Sequence, residues 1–92
     1  MKYTLELSDL AKEGMLRLRR SGDRQALKKL DSLLDELKVH PTTGTCKPER
    51  LKHHDGRRWS RRITDKHRLV YDIYEHIVTV EIIQAYGHYG DR

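Results

Sequence analysis

Glu49, Arg62, Arg68, His88 and Tyr89 are the side chains of this 92-residue sequence whose types suit phosphoryl chemistry. RNA can be cut without a metal by its own 2′-hydroxyl. A base takes the 2′ proton, the oxygen attacks the adjacent phosphorus, and an acid protonates the leaving 5′ oxygen. Cations stabilise the charge that gathers on the phosphoryl oxygens. The sequence offers a carboxylate, Glu49, inside a basic loop. Arg62 and Arg68 lie in neighbouring strand-like runs, and His88-Tyr89 follows the last run. Lys47, Lys52 and Arg61 belong to the same cationic stretch.

Each residue also has a plainer reading. Glu49 stands among Lys47, Arg50 and Lys52, as a surface ion-pair partner would. Arg62 and Arg68 alternate with apolar residues, as solvated strand residues do. His88 can be ordinary surface, and Tyr89 can close a core edge. Trp59, the one tryptophan, suits the core as well as a stacked base.

Other chemistries find less support. His53-His54-Asp55 has no further ligand at helical spacing, and adjacent histidines on a loop seldom converge on one ion, so no metal and no cofactor is expected. There is no Gly-x-Ser-x-Gly elbow and no glycine loop of the phosphate-cradling kind. Cys46 is the single cysteine, which excludes an intramolecular disulfide and suits a reducing cytosol.

Charge is concentrated. The chain carries +5, but 47–68 holds nine basic residues against three acids, a net +6 that leaves −1 elsewhere. Such a patch is the footprint of a polyanionic partner. No apolar run approaches the ~18 residues of a membrane span, and no signal-peptide core opens the chain, so a soluble cytoplasmic protein is expected.

The elements that must position these residues follow from periodicity. Tyr3, Leu5 and Leu7 alternate with Thr4 and Glu6, the period of a half-buried strand. Ser8 or Asp9 caps a helix whose apolar positions are Ala11, Met15 and Leu18. Ser21-Gly22 breaks it, and Asp23 caps a second helix with the stripe Ala26, Leu27, Leu30, Leu33, Leu34 and Leu37. Pro41 to Gly44 ends that helix, and so short a connection makes the two helices an antiparallel hairpin. Residues 42–57 read as a long loop or short helical turn. Three strand-like runs follow at 58–63, 67–74 and 77–86, with turns at Thr64-Asp65-Lys66 and Glu75-His76. Leu69, Tyr71 and Ile73 form one face of the second run, and Val78, Val80 and Ile82 an inward row of the third. The order β-α-α-β-β-β implies a single α+β domain over 1–92, an antiparallel β-sheet packed against an N-terminal helical hairpin.

The arrangement of motifs carries more than any one of them. Lys47-Pro48-Glu49-Arg50-Leu51-Lys52-His53 precedes Trp59-Ser60-Arg61-Arg62-Ile63, then His67-Arg68-Leu69-Val70-Tyr71, and the chain closes with Ala85-Tyr86-Gly87-His88-Tyr89. This resembles the YoeB/Txe family of the RelE superfamily, in its KPE-x-LKH, WSRRI, HRLVY and terminal HY motifs. The resemblance implies a RelE-like, microbial-ribonuclease-type fold and the toxin of a type II toxin–antitoxin system. The implied activity is metal-independent endoribonuclease cleavage of translated mRNA in the ribosomal A site, giving a 2′,3′-cyclic phosphate and a 5′-hydroxyl.

By that pattern Glu49 is the general base, His88 the general acid and Arg68 the stabiliser of the transition state. Lys52 and Arg62 line the site with Lys47 and Arg61 as further RNA contacts, and Tyr89 positions the substrate. The implied partners are the ribosome with its mRNA and a cognate antitoxin of YefM/Axe type whose acidic tail covers the basic face; a homodimer is left open. One departure is the tail Gly90-Asp91-Arg92 beyond the His-Tyr pair. The rival readings are an RNA- or ribosome-binding translation inhibitor that does not cut, and a protein-interaction or DNA-binding regulator that uses the helices.

Overall fold

The computed structural model describes residues 2–52 and 55–87. Strand β1 is Thr4–Leu7, helix α1 Asp9–Ser21 and helix α2 Arg24–Leu37. Strands β2 (Glu49–Arg50), β3 (Arg58–Arg62), β4 (Arg68–Tyr74) and β5 (Thr79–Gln84) follow.

The helix ends lie where the capping chemistry puts them. Ser8 is extended, and its hydroxyl accepts the Ala11 N–H at 3.0 Å while donating to the Ile83 carbonyl at 2.8 Å. One small side chain thus starts α1 and ties it to the last strand. Gly22, at φ 76°, ends α1 in the left-handed conformation that glycine takes without strain. Asp23 accepts the Ala26 N–H at 3.0 Å and starts α2 after a two-residue connection.

Ala11, Met15 and Leu18 of α1 and Ala26, Leu30, Leu33 and Leu37 of α2 are buried. They meet Leu69, Tyr71 and Ile73 of β4 and Val80 and Ile82 of β5 in one core on a single sheet face, with Leu27 and Leu34 half-buried at its margin. The inward rows expected for the second and third strand runs are therefore present, except that Val78 precedes β5 at φ 48°, after a 3₁₀ turn at Glu75–Ile77. The Thr64 hydroxyl closes the β3–β4 turn by accepting the Lys66 and His67 amides, each at 3.1 Å.

Strands β2 to β5 form an antiparallel meander in the sheet order β1-β5-β4-β3-β2. Two features depart from the expected antiparallel sheet and loop. Strand β1 pairs with β5 in parallel, Leu5 beside Val80, so the sheet is mixed. The helical hairpin carries the chain to the far edge, and the meander's reversals bring β5 back alongside β1 in the same sense. Alternation within a run says nothing about such non-sequential pairing. The stretch read as loop also holds a short edge strand, Glu49–Arg50, opposite Ser60 and Trp59. No helix among the described residues is long and apolar enough to cross a membrane.

Candidate active site and nucleic-acid surface

Residues directly opposite in an antiparallel ladder share a face. Glu49 lies opposite Ser60, and Arg62 opposite Arg68. These four occupy the face turned away from the helices, because the alternate residues Trp59, Arg61, Leu69 and Tyr71 turn inward. Arg68 Nη1 stands 3.6 Å from Glu49 Oε1 and donates to Ser60 Oγ at 3.4 Å. The Arg68 side chain is 27% exposed and that of Glu49 63%, so both reach solvent.

The pairing of Arg62 with Arg68 sets two guanidinium groups on adjacent strands. Like charges so placed cost stability, and among the described residues each faces one carboxylate, Asp65 at 3.6 Å from Arg62 and Glu49 at 3.6 Å from Arg68. An anion between them relieves the repulsion, and the planar forks match phosphate geometry. The arrangement can bind a phosphoryl group beside a carboxylate able to take a proton.

The loop feeding β2 is bent to bring Glu49 to this edge. Cys46 and Lys47 both have positive φ, 62° and 55°, a sparsely populated region for residues other than glycine. The Arg62 amide anchors the bend by donating to the Cys46 carbonyl at 2.9 Å. Lys47 is exposed before the edge strand and Lys52 after it. Arg50, Leu51, Lys52, Asp55 and Gly56 line a cavity of about 660 Å³. His88 and Tyr89, the expected acid and positioning residue, and the His53-His54 pair lie outside the described residues.

Arg61 requires a correction. It was expected on the RNA surface, yet its side chain is fully buried. It shares strand parity with Trp59 and Ile63, and that alternation was the signal available in the sequence. Its Nε donates to Tyr71 Oη at 3.0 Å, and Nη2 donates to the carbonyls of His40 and Thr43 at 2.6 and 2.8 Å. Nη1 donates to Glu36 and, at 3.3 Å, to the Thr45 carbonyl. Tyr71 Oη in turn donates to the Pro41 carbonyl at 2.8 Å.

The cluster staples the loop at 40–46 to the sheet. Burial pushes the Glu36 carboxyl up, but hydrogen bonds from Thr45 and the Arg61 charge outweigh it and hold the group below the usual carboxylate range. Burial pushes the Tyr71 phenol up against the opposing influence of Arg61, so it stays protonated. Glu36 was not singled out from sequence, and Tyr71 was read only as one of an apolar strand row.

Other cations of the basic segment are also engaged. Arg58 holds buried Asp72 through two bonds of 2.7 and 2.9 Å. Arg57 lies 3.9 Å from the same carboxylate and over the Tyr74 ring. Lys47, Arg50, Lys52 and Lys66 remain exposed.

The adjacent arginines therefore separate in experiment. Arg61→Ala removes the cation beside Glu36 and the buried donor to three carbonyls, and is expected to lower unfolding free energy by about 3–5 kcal/mol. Arg62→Ala, on a half-exposed side chain, is expected to change it by less than about 0.5 kcal/mol. Arg62→Ala should instead weaken RNA binding and flatten its salt dependence. Denaturant unfolding and a salt titration of RNA affinity, run on both variants, check the division; equal stability losses overturn it.

Residues 16–89 match the family model of the YoeB-like toxin of bacterial type II toxin-antitoxin systems. Toxin YoeB of Escherichia coli K12 is 45% identical over 51 residues, 55% of this chain and 61% of that protein. That match thus spans about three fifths of the relative's length. A solved YoeB/ParE toxin from Agrobacterium tumefaciens superposes with a TM-score of 0.83 at 32% identity, covering 94% of this chain and 99% of that one. A chain of the YoeB-YefM complex from Staphylococcus aureus superposes with a TM-score of 0.74 at 28% identity, covering 97% and 100%.

Proposed function

The chain belongs to the family of YoeB-like toxins of bacterial type II toxin-antitoxin systems, and on that premise we propose that its outer sheet face cleaves translated mRNA in the ribosomal A site. One observation carries the reading: Arg68 lies beside Glu49 and directly opposite Arg62, on a face free of the helical core. Glu49 takes the 2′ proton, and the freed oxygen attacks the adjacent phosphorus. Arg68 and Arg62 hold the phosphoryl oxygens as charge gathers on them. His88 protonates the leaving 5′ oxygen, and Tyr89 helps to place the substrate. The phosphoryl group ends as a 2′,3′-cyclic ester, the proton from Glu49 is returned to solvent, and no metal enters the balance. Exposed Lys47 and Lys52 supply salt-dependent attraction to the RNA backbone.

The same cations suit a protein inhibitor. A cognate antitoxin of the YefM kind, with an acidic disordered tail, competes with phosphate for this face and folds as it binds. The S. aureus YoeB-YefM complex supports such a partner for this chain. The protein works in the cytoplasm, where ribosome and message meet.

The ribosome contributes geometry. In-line alignment of the 2′ oxygen with the leaving group is worth several orders of magnitude, and free RNA seldom adopts it. Induction without the antitoxin is therefore expected to arrest growth and to produce new 5′-hydroxyl ends within translated message. Purified protein should cut naked RNA poorly. Mapping 5′ ends in cells, and timing cleavage with and without programmed ribosomes, checks both points. Naked RNA cut as fast as ribosome-bound message removes the ribosome from the mechanism; arrested translation with intact message favours the non-cleaving inhibitor.

A further inference from the structure

The chain after β5 is fastened where it reaches the proposed site. The Gly87 N–H donates to His67 Nδ1 at 2.9 Å, and the Gly87 carbonyl accepts the Arg68 N–H at 3.0 Å. Both polar groups of one residue are thus held by two consecutive residues at the entrance to β4. Gly87 has φ 82°, which glycine adopts freely, so the chain turns sharply there. His88 is joined directly to Gly87, and its backbone therefore starts one peptide from the partner of Arg68.

A second set of contacts supports this one from the helical side. The His67 and Tyr86 rings lie with centroids 4.2 Å apart, tilted by 35°, and the Arg17 guanidinium of α1 sits 5.4 Å from the Tyr86 centroid. Gly14 permits the approach, since an added Cβ would stand 3.0 Å from Tyr86 Cβ and 3.1 Å from its nitrogen. Gln84 closes the turn by donating to the Tyr86 carbonyl at 3.0 Å.

We infer that His67 is a positioning residue: its unprotonated Nδ1 holds Gly87 at the entrance to β4, and so fixes the point from which the chain runs on to His88. The inference rests on the ribonuclease reading above for its functional consequence, but not for the hydrogen bond itself. His67 does not exchange a proton with substrate. It fixes the register of the segment bearing the acid, much as an outer partner orients a catalytic imidazole. An ångström of misplacement at such a group can cost ~10²-fold in rate.

Two variants separate the acceptor from the ring. His67→Phe keeps a ring against Tyr86 and removes the acceptor. His67→Asn removes the ring and returns an oxygen near the place of Nδ1. Single-turnover cleavage on programmed ribosomes is expected to fall by about 10-fold to 100-fold in His67→Phe and to return to within about threefold of wild type in His67→Asn. Ribosome affinity should stay within about threefold in both, because the inferred role of His67 is to hold Gly87 and not to bind phosphate. Hydrogen exchange at the Gly87 amide should be slow in wild type and His67→Asn and fast in His67→Phe.

Wild-type cleavage by His67→Phe, or a loss in His67→Asn as large as in His67→Phe, overturns the positioning role. If the wild-type protein does not cut message at all, the ribonuclease reading falls by itself. The exchange rates then decide: equal Gly87 rates in all three proteins overturn the inference, and the expected pattern sustains the positioning of the segment.

Discussion

Arg68→Ala is expected to lower the single-turnover cleavage rate on a programmed ribosome by ~10²–10³ while leaving ribosome affinity within about threefold, the pattern of a group that acts on developing charge. In the free protein Arg68 is already oriented, by Ser60 at 3.4 Å and Glu49 at 3.6 Å, so the proposed contact of its fork with phosphate needs little reorganisation. The ground-state phosphodiester carries one negative charge shared between two oxygens. As the 2′ oxygen bonds to phosphorus, charge on those oxygens grows, and the benefit of a fixed guanidinium grows with it. The proposed attraction to RNA rests on the exposed cations Lys47, Arg50, Lys52 and Lys66, which Arg68→Ala leaves in place.

Stability should not fall with activity. Removing Arg68 also removes the like-charge pairing with Arg62 across β3 and β4, which offsets the lost contact with Glu49. Arg68→Lys should recover only part of the rate, because an ammonium is a point charge and cannot hold two oxygens in the guanidinium's plane. Unfolding, affinity and turnover measured on the same preparations check these points. A fall in affinity equal to the fall in rate would assign Arg68 to binding alone.

How far the sequence alone led can be judged from particular residues. Ser8, Gly22 and Asp23 announce the helix ends because capping is local: one side chain meets a backbone group three residues away. The stripes of α1 and α2 and the inward rows of β4 and β5 were legible because burial on one face leaves a period in the chain. The parallel pairing of β1 with β5 was not, since neither strand records which edge the helices reach.

At the site the same rule applies. The grouping of Glu49, Arg62 and Arg68 followed from the motif resemblance together with antiparallel pairing, and the ladder brings them onto one face. Arg61 misled because charge outweighed parity in reading it. A basic segment suggests a solvated surface, whereas alternation sends every second residue inward. Its partners, Glu36 on α2 and Tyr71 on β4, are distant in sequence, and no local pattern pairs them. His67 was read only as part of the HRLVY motif, because the amide it accepts belongs to a glycine, which has no side chain to advertise the contact.

His88→Gln is expected to cost ~10²–10⁴ in cleavage rate, the range for one general acid, while the protein still binds programmed ribosomes. The departing 5′ oxygen is an alkoxide, far too basic to leave unprotonated at neutral pH. An imidazole, with its ordinary pKa of ~6.5, can give a proton to that oxygen and regain one from water between turnovers. Glutamine keeps hydrogen-bonding capacity and similar bulk, but its amide does not part with a proton near neutrality. His67 and Arg68 hold Gly87 by its N–H and its carbonyl, and His88 is the next residue in the chain. Tyr89 follows it in the chain and offers a phenol, intrinsically a much weaker acid than an imidazolium. A substrate whose 5′ leaving oxygen is replaced by sulfur supplies the decisive control, since a thiolate departs without an acid. His88→Gln should cut that substrate nearly as fast as wild type does, although it is slow on the natural one. A phosphorothiolate that is cut as slowly as the natural linkage, or a natural linkage cut within about threefold of wild type, would remove His88 from proton donation and pass the role to Tyr89 or Lys52.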